Sequence, residues 1–215
     1  MNKKNRIIFF VCDILIALVL FATDRLTKIL ATQYLSGTDG KTLINGVFEL
    51  VYLENRGAAF GMLQNQRVLF IIVGVLFLCV ILTVLYLLPA TKKYRAIRVC
   101  LCLLSAGALG NLYDRITLNY VIDFFYFSYI NFPVFNLADI YVTVSTGILI
   151  ILLLFFYSED ELDLKKLNTV KVHSSIVQDT EDTEDTEDTD DTEDTGGNVS
   201  EAEKSVSDDK ADEQQ

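Results

Sequence analysis

Histidine is almost absent. The 215 residues contain one, His173, and it lies far from the rest of the chemistry, in the last quarter of the chain. Residues 1–157 have none, so Ser-His and Cys-His nucleophile pairs cannot be assembled there. A zinc site with imidazole ligands is unsupported for the same reason. A Ser-Lys pair is available by composition, for instance Lys28 with Ser105, but nothing in the sequence brings the two together. Cysteine is scarce too: Cys12, Cys79, Cys100 and Cys102 all lie inside apolar segments, where the thiol packs as a small hydrophobe. A Cys-x-Cys spacing points the sulfurs of 100 and 102 to different sides of a helix, so neither a metal nor a disulfide is expected. There is also no basic stripe away from the short loops that flank apolar runs, which argues against a nucleic-acid partner. Carboxylates are few before residue 158: Asp13, Asp24, Asp39, Glu49, Glu54, Asp114, Asp123 and Asp139. By elimination, any catalysis rests on these.

What is abundant is apolar side chain. The chain is 51% hydrophobic yet carries a net charge of −11, a poor fit to one uniform globular domain. A division at Tyr157 resolves the conflict. Residues 1–157 hold 13 Lys/Arg and 8 Asp/Glu, a charge of +5, and residues 158–215 hold 5 and 21, a charge of −16. The pI of about 4.5 describes the tail. From Asp179 to Thr195 that tail is nearly a Glu-Asp-Thr triplet repeat, which repels itself and has nothing to bury. A disordered, solvated cytoplasmic extension is the plain reading; calcium binding or a phosphorylated docking tail is the sharper one.

Four apolar runs, Ile7–Thr23, Val68–Leu88, Ala96–Tyr113 and Ile140–Tyr157, each match the roughly 20 residues needed to cross a hydrocarbon core. The second and fourth contain no charge. The first follows Lys3, Lys4 and Arg6 as a secretory signal would, but it ends in Phe21-Ala22-Thr23-Asp24 without a small-x-small cleavage site and is read as retained. The predicted fold class is an all-α membrane protein with four transmembrane helices. Lys92, Lys93, Arg95 and Arg98 crowd the loop from Pro89, whereas the 24–67 loop spreads its basic residues thinly. Both termini are then cytoplasmic, with 24–67 and 114–139 outside. Within the first outer loop, Leu26, Ile29, Leu30 and Leu35 repeat at helical spacing and predict an interfacial extension of the first span. The segment from Leu43 to Glu54 is rich in β-branched and aromatic residues and predicts short strands of a small extracytoplasmic sheet.

Asp123 stands alone in the Val-Ile-Asp-Phe-Phe stretch just beyond the third span, and Asp139 sits at the outer mouth of the fourth. The two thus share one membrane surface. Two carboxylates in a low-dielectric site share a proton, so one can act as base toward water while the other polarises a carbonyl. The plainer alternative is that Asp139 caps the fourth helix and Asp123 pairs with Arg115. An ion- or proton-coupled transporter, or a scaffold, could use the same intramembrane carboxylates.

Five blocks decide among these readings. They are Asp24-Arg25-Leu26-Thr27-Lys28, Glu54-Asn55-Arg56-Gly57-Ala58-Ala59-Phe60, Gly107-Ala108-Leu109-Gly110-Asn111-Leu112-Tyr113-Asp114-Arg115, Val121-Ile122-Asp123-Phe124 and Phe135-Asn136-Leu137-Ala138-Asp139. In order and in placement against four spans, they resemble the lipoprotein signal peptidases (signal peptidase II), an aspartic peptidase family, over roughly residues 7–157. The resemblance implies a bacterial cytoplasmic-membrane endopeptidase that cuts prolipoproteins before a diacylglyceryl-modified cysteine, with no cofactor. It puts the catalytic pair on Asp123 and Asp139, and it implies that Asn111, Arg115 and Asn136 hydrogen-bond the pair or the substrate and that the loop of Asn55 covers the substrate. Asp24 and Lys28, at i and i+4, read as a structural ion pair, and Arg115 could equally pair with Asp114. Arg25 and Arg56 receive no role. Ala106, Gly107, Ala108 and Gly110 read as close helix packing. Asp13 in the first span and the acidic tail lie outside the family pattern.

Overall fold

The structure, a computed structural model, describes residues 3–57 and 66–158. Ala58, Ala59 and Phe60 of the second block and the acidic tail with His173 lie outside the described residues. Four helices carry the apolar runs: α1 (Lys3–Leu35), α2 (Arg67–Leu87), α3 (Arg95–Thr117) and α4 (Leu137–Phe155). All four are long and apolar enough to cross a membrane. α3 packs against each of the other three. Its small residues make this possible. A side chain at Gly107 would meet the Ala138 carbonyl oxygen at 2.6 Å, and one at Gly110 would run into the Asp24 carboxylate.

α1 does not stop at the predicted end of the first span. Its 33 residues form one unbroken helix, which at 1.5 Å per residue runs about 50 Å and outruns a hydrocarbon core of roughly 30 Å. The excess supports a sheet. Ala31 and Leu35 pack with Ile122 and Phe124 in a buried cluster, while Leu26, Ile29 and Leu30 stay exposed.

The sheet is antiparallel, in the order β1 (Lys41–Ile44), β2 (Phe48–Asn55), β3 (Val121–Tyr126). β1 and β2 fall where the 43–54 segment predicted strands. β3 was not predicted. It has the same β-branched and aromatic make-up, but its first four residues are all buried, so it shows no alternation to betray a strand. Asn119, in the left-handed region at φ 71°, ends α3 and turns the chain into β3. Phe135 then bridges back to Phe125 through backbone bonds of 2.8 and 3.0 Å, which lays the approach to α4 beside β3.

Asp13, which the family pattern left without a role, pairs with Arg98 of α3, and both are buried. Arg98 also donates to the carbonyls of Leu85 (3.2 Å) and Leu88 (2.8 Å), satisfying acceptors left over at the end of α2. One guanidinium thereby ties three helices. A second buried cluster, including Ala17, Ile81, Leu85, Ile97, Leu101 and Leu104, surrounds it.

Candidate active site

β3 and the start of α4 bring the two aspartates of the sequence analysis to one place. Asp123 and Asp139 both line a cavity of about 480 Å³, together with Asn55, Gly57, Asn111 and Arg115. Phe132, Pro133, Val134, Phe135 and Ile140 form its apolar wall. Polar groups converging on one side of a largely apolar cleft are the usual make-up of a small-molecule or peptide site. A second, shallower cleft between α2, α3 and α4 adjoins this one at Asn111, Arg115 and Asp139.

Three asparagine amides hold the two carboxylates. Asn55, at the end of β2, donates to Asp123 Oδ2 at 2.8 Å. Asn136 donates to Asp123 Oδ1 at 2.6 Å, and Asn111 donates to Asp139 Oδ1 at 2.8 Å. Asn136 also donates to Asn111 Oδ1 at 3.1 Å, closing the network between the two aspartates. Amide side chains suit this task because each offers two donors and cannot itself ionise.

Asn136 does a second job. Its side-chain oxygen accepts from the Asp139 N–H at 3.1 Å, while Asp139 Oδ2 accepts from the Asn136 N–H at 3.0 Å. The pair is a capping box that starts α4. Capping by this segment and a place in the cavity, weighed in the sequence as alternatives, therefore coexist: Asn136 is the cap residue, and Asp139 closes the box with one oxygen while the other meets Asn111.

Burial and the negative charge of Asp139 push the Asp123 carboxyl up to about 7, against the partial relief of the bonds from Asn55 and Asn136. Near neutral pH Asp123 therefore still holds its proton part of the time. Asp123 is 2% exposed, so water has little part in that balance.

Asp24 and Lys28 form the expected ion pair, 3.1 Å apart, but both are fully buried and Lys28 reaches further than expected. Its ammonium lies 2.8 Å from Asp114 Oδ2 and donates to Asn111 Oδ1 at 2.9 Å. Arg115 and Asp114 do not pair as the sequence allowed. Asp114 is taken by Lys28 and by Arg25, which lie on the facing helix α1, while the Arg115 guanidinium points to the carbonyls of Asn111 and Gly57 and over the Phe70 ring. Nor does Arg115 take the Asp123 carboxylate, whose oxygens go to asparagines. Arg25, given no role from the sequence, is an ion-pair partner that also stacks over Tyr113. Arg56 makes an exposed pair with Glu54 and covers Tyr120. The Ser-Lys alternative fails, because the Ser105 hydroxyl bonds its own helix at Leu101 while Lys28 is fully engaged elsewhere.

The chain is similar to known proteins. The family profile described as Signal peptidase (SPase) II matches residues 16–155. A lipoprotein signal peptidase of Clostridioides difficile is 45% identical over 148 residues, covering 68% of this chain and 97% of its own. One of Clostridium tetani is 34% identical over 158 residues, covering 72% and 98%. A solved structure of a bacterial membrane enzyme, determined in meso at 2.3 Å, superposes with a TM-score of 0.60 at 30% identity, covering 68% of this chain and 89% of its own. Another, at 1.9 Å, gives 0.59 at 29% identity, covering 69% and 96%. The profile spans the later part of α1 and all of α2, α3 and α4; the chain belongs to the signal peptidase II family and is a multi-pass membrane peptidase.

Proposed function

We propose that the chain is an aspartic endopeptidase that removes signal peptides from prolipoproteins, cutting before a cysteine that carries a diacylglyceryl group. The observation that carries this reading is the pair of carboxylates, Asp123 and Asp139, facing one cavity and held by three amides. The relatives' shared name, lipoprotein signal peptidase, supplies the substrate class.

In this mechanism, Asp139 takes a proton from a water lodged between the pair, and Asp123 donates its proton to the scissile carbonyl oxygen. The resulting tetrahedral diol collapses as Asp139 passes its proton to the leaving amine nitrogen, the C–N bond breaks, and Asp123 takes back a hydroxyl proton, which restores the pair. Arg115, at the cavity wall and within reach of the Gly57 carbonyl, is placed to hold substrate backbone. Asn55 and Gly57 line the cavity where β2 ends, the Asn55 side chain accepting from the Gly57 N–H at 3.0 Å. No metal or organic cofactor takes part.

The protein belongs, on this reading, in the bacterial cytoplasmic membrane, with both termini inside and the cavity at the outer face. The outer end of α1 and the three-stranded sheet rest at that interface. The exposed side chains of Leu26, Ile29 and Leu30, with Tyr129 and Ile130 of the 3₁₀ turn Ser128–Ile130, suit an apolar boundary better than water.

The test is cleavage of a diacylglyceryl-modified prolipoprotein by the purified full chain in detergent, beside Asp123→Asn and Asp139→Asn. The wild type should cut on the amino side of the lipidated cysteine, and each variant should lose at least about 10³-fold in rate. Near-normal turnover by either variant would sink the reading.

A further inference from the structure

Behind the cavity lies a cluster of four charges that the reaction does not consume: Asp24, Arg25 and Lys28 on α1, and Asp114 on α3. The side chains of Asp24, Lys28 and Asp114 are entirely buried. If their task were only to tie α1 to α3, apolar side chains would do it without the desolvation that buried charges incur. Their remaining bonds suggest a different task. Asp24 Oδ1 accepts from the backbone N–H of Ala138 at 3.0 Å, and Asp114 Oδ2 accepts from that of Ile122 at 3.4 Å. Ala138 immediately precedes Asp139, and Ile122 immediately precedes Asp123. Each buried carboxylate grips the peptide group before one of the two cavity aspartates.

Lys28 joins these two grips, lying within 3.1 Å of Asp24 and 2.8 Å of Asp114. Its third contact goes to Asn111 Oδ1. An ammonium only donates, so the Asn111 atom facing it must be the oxygen, and the Asn111 NH₂ is thereby committed to Asp139. Gly110, next to Asn111, leaves room for the Asp24 carboxylate, which a methyl group there would strike.

We propose that Asp24, Lys28 and Asp114 form a positioning device, which sets the separation of Asp123 and Asp139 by holding the backbone before each and fixing the Asn111 amide between them. This rests on the reading of Asp123 and Asp139 as the catalytic pair. A small displacement of reacting groups costs rate far more than it costs binding. Loss of the device should therefore appear in kcat, with KM left near its wild-type value.

The experiment measures kcat and KM on the lipidated prolipoprotein for Lys28→Met, Asp24→Ala, Asp24→Asn and Gly110→Ala, with Asp123→Asn as reference, each as the full chain in detergent. Melting temperature and a single size-exclusion peak establish which variants are folded. Folded Lys28→Met and Asp24→Ala should lose about 10²-fold in kcat with KM within about twofold. Asp24→Asn keeps an oxygen for the Ala138 N–H and should recover about tenfold of that loss. Gly110→Ala leaves every ionisable group in place, displaces the Asp24 carboxylate, and should lower kcat by about tenfold. If Asp123→Asn stays active, the catalytic reading itself falls and takes this inference with it. If Asp123→Asn is dead while folded Lys28→Met and Asp24→Ala lose only thermal stability, the catalytic reading stands and this inference alone is overturned. Equal losses in Asp24→Ala and Asp24→Asn would also overturn it, because charge rather than the backbone grip would then be what matters. So would failure of every cluster variant to fold, since the cluster would then be scaffolding.

Discussion

In the proposed reaction, Asp123 couples pH to both rate and stability. Its carboxyl is raised from 3.8 to about 7 by burial and by Asp139. Because the folded chain binds this proton more tightly than the unfolded chain does, the contribution of Asp123 to stability is greatest below about pH 4. It declines as pH rises toward 7, by an amount on the order of 4 kcal/mol at most. Asp123→Asn cannot titrate, so its melting temperature in detergent should vary less between pH 4 and 7 than that of the wild type. The rate should fall on the alkaline side of about pH 7, where Asp123 loses the proton that the proposed reaction has it donate. A rate that stayed level through about pH 8.5 would count against Asp123 as the proton donor. The residues of this pair were legible in the sequence because a lone acid among aromatic and aliphatic neighbours is conspicuous and because the five blocks name it. Arg25 was not legible, since its partner Asp114 is 89 positions away and only the packing of α1 on α3 brings them together.

Among the elements, the helices were the plainest to read. Each predicted span lies within or within two residues of an observed helix, and the differences are at the ends. α4 begins three residues early because Asn136 and Asp139 cap it, and α3 runs on to Thr117 because Asn119 is the first residue able to turn it. β3 was missed, for its strand character rests on pairing with the distant β2, where Leu53 faces Asp123 and Asn55 faces Val121, rather than on its own pattern. The tie between elements most open to test is Asp13–Arg98. Asp13→Leu leaves a buried guanidinium with carbonyl partners alone and should lower stability by about 3 kcal/mol. Asp13→Leu combined with Arg98→Met should regain most of that, because no uncompensated charge remains. Thermal melts of the single and double variants check this; a double variant no better than the single would mean that the carbonyl contacts of Arg98, not its charge balance, hold the helices.

Across the whole molecule, charge alone divides the apolar body from the acidic extension at Tyr157, and the family profile ends at residue 155. The cavity and every residue named in its network lie before that boundary. A chain ending at Ser158 should therefore keep cleavage within about twofold of the full chain in detergent. A loss beyond tenfold would assign the extension a part in the reaction. What sequence could not convey is how the four helices share the work. α3 touches all three others, is the most buried of the four and is also the least hydropathic. It carries Arg98 near its start and Asn111, Asp114 and Arg115 near its end, groups that lipid would reject and that neighbouring elements satisfy. Such a segment is a poor passenger on its own. As the ribosome delivers the chain, α1 and α2 emerge first, and α1 already carries Asp13 and Lys28, while the end of α2 carries the Leu85 and Leu88 carbonyls that receive Arg98. The order of synthesis thus makes the partners of Arg98 and Asp114 before α3 itself, whereas Asp139, which meets Asn111, follows only with α4.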